Sequence, residues 1–215
     1  DAGKPRGEAG VTVGETIQAV QAGVCVIKPC RLTINWSQHM QRRLMLDIET
    51  LGIAPGCIIL SIGAVEFNRN GILKEFHVKI DPIDAERCGL IAQASTVMWW
   101  LTQPKEAQDA LSQGEIRSLQ GALIEFIGAF DWQGLQVWCN GASFDYPILQ
   151  AAFKAVQLKA PWAYYNEMDH RTMKNLLGKT EMKKLTAKAT LKHDALDDAR
   201  TQALTLNNVF NKLGI

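Results

Sequence analysis

"LMLDIETLG", residues 44–52, is the stretch that decides the fold of this chain. It is apolar like a buried strand, yet it carries two carboxylates, Asp47 and Glu49. Alternate residues of a strand point to one face, so these acids project together while Leu46 and Ile48 face the opposite side. Paired carboxylates on an apolar strand repel and lose hydration unless a cation lies between them. The stretch predicts a divalent-metal site; two solvated acids at an exposed strand end are the alternative.

The sequence around this strand predicts a single mixed α/β domain. The predicted strands cover residues 43–49, 57–67, 72–80 and 135–139. The predicted helices cover residues 95–103, 104–112, 115–130, 145–157 and 195–213. The turn-forming sequence "NRNG" at 68–71 joins the second and third strands as a hairpin. Strands in sequence, followed by helices around a further strand, indicate a sheet that is part antiparallel and part parallel.

Composition limits the class of protein. The 215 residues are 47% hydrophobic and 21% charged, which is typical of one globular domain with a sizeable core. No apolar run reaches the roughly 18 residues of a membrane span. The five cysteines are scattered and form no Cys-x-x-Cys pair, which argues against a disulfide framework and a zinc site. We therefore expect reduced thiols in a cytoplasmic protein.

The distribution of charge gives only a weak indication of whether the chain binds nucleic acid. The formal net charge of +1 argues against a protein that coats long stretches of nucleic acid. Residues 171–192 are the exception, because they contain seven basic residues and a single acid, Glu181. A solvated lysine-rich loop and a segment that contacts phosphates both fit this composition.

The first 39 residues have no clear pattern of helix or strand. They begin without methionine, whereas Met40 directly precedes the sharply patterned sequence that follows. We expect residues 1–39 to be an N-terminal extension of unknown role, such as an appendage or a fusion remnant, and residues 40–215 to form the folded domain.

Further carboxylates are placed where they can complete a metal site. Asp145 follows the strand at 135–139 and falls in the first turn of a helix, at a strand-to-helix switch where α/β sheets place their sites. Acids at helix N-termini are also common for capping and dipole reasons.

The last helix carries the other candidates. Asp198 lies about 100° from the apolar face of the helix at 195–213, where it can flank the sheet. Asp197 lies about 160° from that face and is predicted to point to water. Asp194 fits an N-cap. His193 precedes Asp198 by five residues and adjoins this acid cluster. Histidine ordinarily titrates near neutral pH, so His193 is a candidate to accept a proton from water.

Three motifs resemble those of the DEDDh 3′→5′ exonucleases, relatives of oligoribonuclease, ribonuclease T and polymerase proofreading subunits. They are "LDIET" at 46–50, "NGASFD" at 140–145 and "HDALDD" at 193–198. The stretches "APGCIILSIGAVEF", "MWWL" and "NEMDHRT" are similar to a subgroup found in phages, prophages and actinobacteria, which includes exonuclease VIII-like enzymes and a mycobacterial exoribonuclease. The resemblance covers roughly residues 45–206 and implies a ribonuclease H-like fold, with a mixed five-stranded sheet flanked by helices.

The resemblance also implies a function and its residues. It implies metal ligands at Asp47, Glu49, Asp145 and Asp198, and a general base at His193. Two Mg²⁺ or Mn²⁺ ions would assist hydrolysis at the 3′ ends of DNA or RNA, in single strands or 3′ overhangs, with release of nucleoside 5′-monophosphates. Several relatives form homodimers, so a homodimer is a possible assembly, but the sequence does not determine the oligomeric state.

The same resemblance implies contacts to the terminal nucleotide. The candidate residues are Thr50, Leu51, Gly52, Trp99, Asn140 and Phe144. Neighbouring helical residues point about 100° apart, so Trp99 and Trp100 are predicted not to face one pocket, and at least one of them to pack in the core.

Two other functions fit parts of the pattern. A ribonuclease H-like endonuclease also uses carboxylates on such a sheet, but the histidine ahead of the last aspartate favours an exonuclease. A non-catalytic nucleic-acid-binding subunit would not need a full set of ligands and a base. No motif distinguishes ribose from deoxyribose.

Overall fold

The computed structural model describes residues 41–215. The expectation for residues 1–39 concerns a segment outside this range. The strands are β1 Arg43–Thr50, β2 Ile59–Asn68, β3 Gly71–Ile80, β4 Ile116–Arg117, β5 Gln136–Cys139 and β6 Glu167–Asp169. The helices are α1 Pro82–Arg87, α2 Ala94–Trp100, α3 Lys105–Ser112, α4 Leu119–Ala129, α5 Ala142–Ala155, α6 His170–Asn175, α7 Lys179–Leu185 and α8 Ala195–Leu213. None of the helices in this range is long and apolar enough to cross a membrane.

The strands form one mixed sheet in the order β4-β3-β2-β1-β5-β6. β1, β2 and β3 pair antiparallel, whereas β5 runs parallel to β1, β6 to β5 and β4 to β3. The predicted mixed sheet is therefore confirmed. The sheet has six strands and not five, because the two short edge strands β4 and β6 add to the longer inner strands.

The two faces of the sheet bury separate apolar clusters. Leu44, Leu46 and Ile48 of β1 belong to a cluster that includes side chains of α4 and α5. Met45 belongs to the other cluster, together with apolar side chains of α8. Since residues alternate along a strand, Asp47 and Glu49 continue the row of Met45 toward α8. The predicted separation of the two acids from Leu46 and Ile48 is observed.

A glycine in β2 fixes how closely α8 approaches the sheet. Gly63 pairs with Asp47 in the β1–β2 ladder. A Cβ atom at Gly63 would lie 2.1 Å from the carbonyl carbon of Ala195 and 2.4 Å from the backbone nitrogen of Leu196. The first turn of α8 therefore rests directly on the backbone of β2. This contact brings the start of α8 beside the acidic positions of β1.

The helix predicted over residues 115–130 begins later than expected. Ile116 and Arg117 pair with β3 instead, and α4 starts at Leu119 with Ser118 as its N-cap. The Ser118 hydroxyl accepts a hydrogen bond from the Gly121 N–H at 3.2 Å. The start of α4 is set by the pairing of residues 116–117 with β3, and helical spacing in the local sequence does not predict that pairing.

Candidate active site

Four acidic side chains from three elements meet near the carboxyl end of β1. Asp47 and Glu49 come from β1, Asp145 from the first turn of α5 and Asp198 from the first turn of α8. Glu49 is 8% exposed and Asp145 is 4% exposed, while Asp47 and Asp198 are partly buried. Electrostatic repulsion from both Asp145 and Asp198 acts on Asp47 and Glu49, so these four groups share one site.

His193 joins two of these acids. One potential ligand atom from each of Glu49, His193 and Asp198 lies within 4.8 Å of the other two. The His193 backbone N–H also donates a hydrogen bond to Asp198 Oδ2 at 3.3 Å. The cluster draws on β1, on the segment before α8 and on α8 itself, so the folded chain joins groups about 150 residues apart in the sequence.

Burial disfavours ionisation of all four acids, and repulsion between them adds to this effect for Asp47 and Glu49. Burial and then repulsion from Asp145 and Glu49 raise the pKa of Asp47 well above its usual value. Burial and then repulsion from Asp198 raise the pKa of Glu49 to about 8. Burial raises the pKa of Asp145 to about 7, although the Cys139 thiol and the Arg171 guanidinium act against this shift. Burial also raises the pKa of Asp198.

A site of this kind fits divalent cations. Buried carboxylates that repel one another are stabilised when a positive charge is placed among them. Their oxygen atoms are the ligands that Mg²⁺ and Mn²⁺ prefer. The donor set therefore fits the ions that the sequence predicts, with Asp47, Glu49, Asp145 and Asp198 as the residues that would hold them.

A glutamine that the sequence analysis missed also belongs to the site. Gln202 Nε2 donates a hydrogen bond to Asp47 Oδ1 at 2.8 Å. Gln202 follows Asp198 by four residues, so both side chains lie on the same side of α8. That spacing was visible in the sequence and would have identified Gln202 once Asp198 was placed against β1.

Two predictions about the start of α8 have different outcomes. Asp194 is the N-cap and accepts a hydrogen bond from the Asp197 N–H at 2.9 Å, as predicted. The prediction that Asp197 faces water is wrong, since Asp197 is only 7% exposed. Its Oδ2 atom accepts hydrogen bonds from the N–H groups of Thr190 and Leu191 at 2.6 and 2.8 Å. The chain before α8 covers this side of the helix, which a helical projection does not show.

His193 is held in an unusual backbone conformation against two tryptophans. Its φ angle of 61° lies in the left-handed region, where histidine occurs more often than most non-glycine residues. The His193 ring centroid is 5.0 Å from that of Trp99 and 6.1 Å from that of Trp100, with both contacts edge-to-face. Trp100 also donates its Nε1–H to the Thr50 carbonyl oxygen at 2.9 Å. These contacts restrict where the imidazole can lie.

The prediction that Trp99 and Trp100 do not share a pocket is wrong. Both line one cavity of about 410 Å³ beside Glu49. The two rings are large enough to bound the same space although their Cα–Cβ bonds diverge, and their centroids are 5.1 Å apart. Trp100 is buried and packs in the apolar core, as expected for at least one of the pair. Trp99 remains exposed at the rim.

This tryptophan cavity contains several of the predicted substrate-binding residues. Its lining residues are Ile48, Glu49, Thr50, Gly52, Ile53, Ser95, Thr96, Trp99, Trp100 and Phe144. Gly52 has no room for a side chain, because a Cβ atom there would lie 2.5 Å from Cys57 Cβ. Its wall is formed mainly by apolar and aromatic side chains.

Two predicted substrate-binding groups are engaged elsewhere. The Leu51 N–H donates a hydrogen bond to the Ile58 carbonyl oxygen at 2.8 Å, so it is not free to hold a nucleotide. Asn140 Oδ1 accepts a hydrogen bond from Lys174 Nζ at 2.8 Å, and its carbonyl oxygen accepts one from the Arg171 guanidinium at 2.8 Å. Asn140 thus links the start of α5 to two basic side chains of α6.

The raised pKa values predict that the metal-free protein loses stability as pH rises. Unfolded Asp and Glu ionise near pH 4, whereas folded Asp145 and Glu49 hold their protons to about pH 7 and 8. Between about pH 4 and these higher values, the folded state binds more protons than the unfolded state. Each such group therefore lowers the free energy of unfolding by about 1.4 kcal/mol per unit rise in pH. We expect the melting temperature in EDTA to drop between pH 5 and 8.5, and excess Mg²⁺ to restore it because cations replace the protons.

The matched control for this measurement is the variant Asp47→Asn/Glu49→Gln. It removes two of the mutually repelling acids, so both the loss at high pH and the effect of Mg²⁺ should shrink. A melting temperature of the metal-free parent protein that stays constant or rises over this range would contradict the prediction.

Comparison with known proteins identifies a family. Residues 42–210 match the family model described as 3′-5′ exoribonuclease Rv2179c-like domain, a range that contains the whole acidic site. The exodeoxyribonuclease of Enterobacteria phage T4 is 26% identical over 129 residues, which are 53% of this chain and 56% of the phage protein. The match thus spans little more than half of that relative.

Solved structures share the fold. The zinc-bound complex of E. coli exonuclease I with single-stranded DNA aligns with a TM-score of 0.59 and 14% identity, over 80% of this chain and 41% of that protein. The nuclease domain of 3′hExo, a DEDDh family member bound to rAMP, aligns with a TM-score of 0.55 and 13% identity, over 81% and 93% of the two chains. These likenesses confirm the predicted fold class.

Proposed function

Because this chain belongs to the family of 3′-5′ exoribonuclease Rv2179c-like domains, we propose that it removes nucleotides one at a time from the 3′ ends of nucleic acid strands. The products would be nucleoside 5′-monophosphates. The family is named for action on RNA, whereas the phage relative is named for action on DNA, so the proposal covers both.

The observation that carries the proposal is the meeting of Glu49, His193 and Asp198 within 4.8 Å, beside the partly buried Asp47 and the buried Asp145. Mg²⁺ or Mn²⁺ held by the four carboxylates would stabilise the negative charge that develops on the phosphoryl group and on the leaving oxygen. Without a cation these acids repel each other, which destabilises the folded protein. A bound cation would remove this repulsion, so the arrangement favours a role in ion binding.

His193 is suited to the role of general base. Its imidazole lies within reach of Glu49 and Asp198 and is confined by the rings of Trp99 and Trp100. It would take a proton from the attacking water as the water oxygen bonds to phosphorus. The bond from phosphorus to the 3′ oxygen of the preceding nucleotide would then break, and that oxygen would take a proton from solvent water.

The tryptophan cavity would hold the terminal nucleoside. Trp99 and Phe144 are the aromatic side chains available to stack on its base, and such contacts contribute about 1–3 kcal/mol each. A cavity of about 410 Å³ that adjoins Glu49 suits a single nucleoside next to the bond to be cut. This supports action at strand ends over cleavage within a strand.

The proposal is tested with 5′-labelled RNA and DNA oligomers of one sequence, single-stranded or paired with a complement, in Mg²⁺ or Mn²⁺. We expect a ladder of products shortened from the 3′ end, and no products in EDTA. A substrate blocked by a 3′-terminal phosphate serves as the control for end recognition. Internal fragments at the earliest times, with equal cleavage of the blocked strand, would show an endonuclease. Binding without metal-dependent cleavage would show a non-catalytic binding protein.

A further inference from the structure

A second cavity contains His193 and Asp198 but none of the residues of the tryptophan cavity. It measures about 550 Å³, and its polar lining residues are Thr186, Lys188, Lys192, His193, Asp198 and Thr201. We call it the lysine cavity. Since His193 lies against Trp99 and also lines this space, the imidazole stands between the two cavities.

Buried side chains of α8 hold the wall of the lysine cavity. Asp197 accepts hydrogen bonds from the N–H groups of Thr190 and Leu191, and Thr205 accepts one from the Ala187 N–H at 3.0 Å. Asp197 and Thr205 are both buried. The backbone of residues 186–193 is therefore held against α8 at several positions before any ligand binds.

The lysines of this segment differ from others nearby in their pairing. Lys184 and Lys212 form ion pairs with Glu181. Lys188 and Lys192 are exposed, and within the described part of the chain neither has an ion pair. Asp198 is the acidic residue in the lining of the lysine cavity, and it is already assigned to ion binding under the proposed function. The lysine cavity is thus lined by two lysines that have no ion pair among the described residues.

We propose that the lysine cavity is a subsite for the backbone phosphates of the nucleotides that precede the bond to be cut. The inference rests on the proposed function, which puts the terminal nucleoside in the tryptophan cavity and the reacting phosphate beside His193. The strand must leave that phosphate on another side, and the lysine cavity begins at the same histidine. Lys188 and Lys192 then neutralise phosphates of DNA and RNA alike, without reading the bases.

The test compares Lys188→Ala/Lys192→Ala with Lys154→Ala/Lys159→Ala. The control pair lies at and just after the end of α5, is also exposed, and removes the same charge. The kcat/KM is measured over a range of salt concentrations for DNA and RNA oligomers. It is also measured for the p-nitrophenyl ester of thymidine 5′-monophosphate, which has no preceding phosphates.

We expect the kcat/KM for oligomers, relative to that for the ester, to fall on the order of 10-fold in Lys188→Ala/Lys192→Ala and to stay constant in the control pair. The slope of log kcat/KM against log salt concentration should become shallower by about 1.4, since each phosphate contact to a single strand contributes about 0.7. Lys188→Arg/Lys192→Arg should retain the parent values, because arginine keeps the charge.

Equal effects in the two alanine pairs would overturn the subsite, and so would an unchanged salt slope in Lys188→Ala/Lys192→Ala. A drop for the ester as large as the drop for oligomers would also overturn it, because it would indicate disturbance of the reacting centre. These results are distinct from failure of the proposed function, in which the parent protein itself would hydrolyse neither substrate.

Discussion

His193→Ala is expected to lower kcat by about 10²- to 10⁴-fold while divalent ions still bind. The variant removes the imidazole that lies beside Glu49 and Asp198, but it leaves all four acidic side chains in place. Asp47→Ala is the matched variant and should lose both turnover and ion binding, because it removes an acid that electrostatically couples to Asp145, Glu49 and Asp198. Turnover is measured on a labelled oligomer, and ion binding by titration calorimetry with Mn²⁺.

A second substitution separates loss of the base from change of the backbone. His193 has a φ angle of 61°, and asparagine tolerates this left-handed conformation better than alanine. His193→Asn should therefore melt close to the parent temperature and still show the drop in kcat. Turnover near the parent value in either His193 variant would overturn its assignment as the base. Loss of Mn²⁺ binding in both would instead identify His193 as a ligand of the ion.

Gly63→Ala is expected to have the largest effect on the fold. The new methyl group would lie 2.1 Å from the Ala195 carbonyl carbon, and the atoms it meets are backbone that cannot rotate away. Overpacking of this kind costs about 1–3 kcal/mol and occasionally more. The start of α8 must move off β2, which draws Asp198 and His193 away from Glu49. We therefore expect a melting temperature lower by several degrees and a loss of turnover of more than about 10²-fold.

Gly128→Ala is the control for this substitution. Gly128 lies exposed in α4, and a Cβ atom there would meet nothing within 4 Å. Alanine favours a helix over glycine by about 1 kcal/mol, so this variant should melt at or above the parent temperature with unchanged turnover. If Gly63→Ala behaved in the same way, the close seating of α8 on β2 would be refuted.

The sequence predicted the parts of the fold that depend on local pattern. β1, β2 and β3 alternate or bury apolar residues over eight to ten positions, and the hairpin turn between the last two has a strong signature. The common face of Asp47 and Glu49 follows from strand geometry alone. The N-cap role of Asp194 follows from residue type and its place before the helix.

Other features of the fold depend on contacts with segments that are distant in the sequence, and the local sequence pattern does not predict them. β4 has two residues and β6 has three, and both exist because they pair with longer strands. Asp197 is buried by a segment that folds back over α8, whereas a helical projection assumes one packed face. The close approach at Gly63 involves a helix that begins 132 residues later in the sequence. The sequence near Gly63 therefore does not indicate that this position requires glycine.

The seating of α8 on the sheet also determines when the acidic site is completed during synthesis. β1, β2 and β3 leave the ribosome first and can pair at once, but Met45, Val65 and Phe67 stay uncovered until α8 emerges. The same helix completes the set of acids. A nascent chain that lacks α8 thus exposes an apolar face of the sheet and lacks Asp198 of the acidic site.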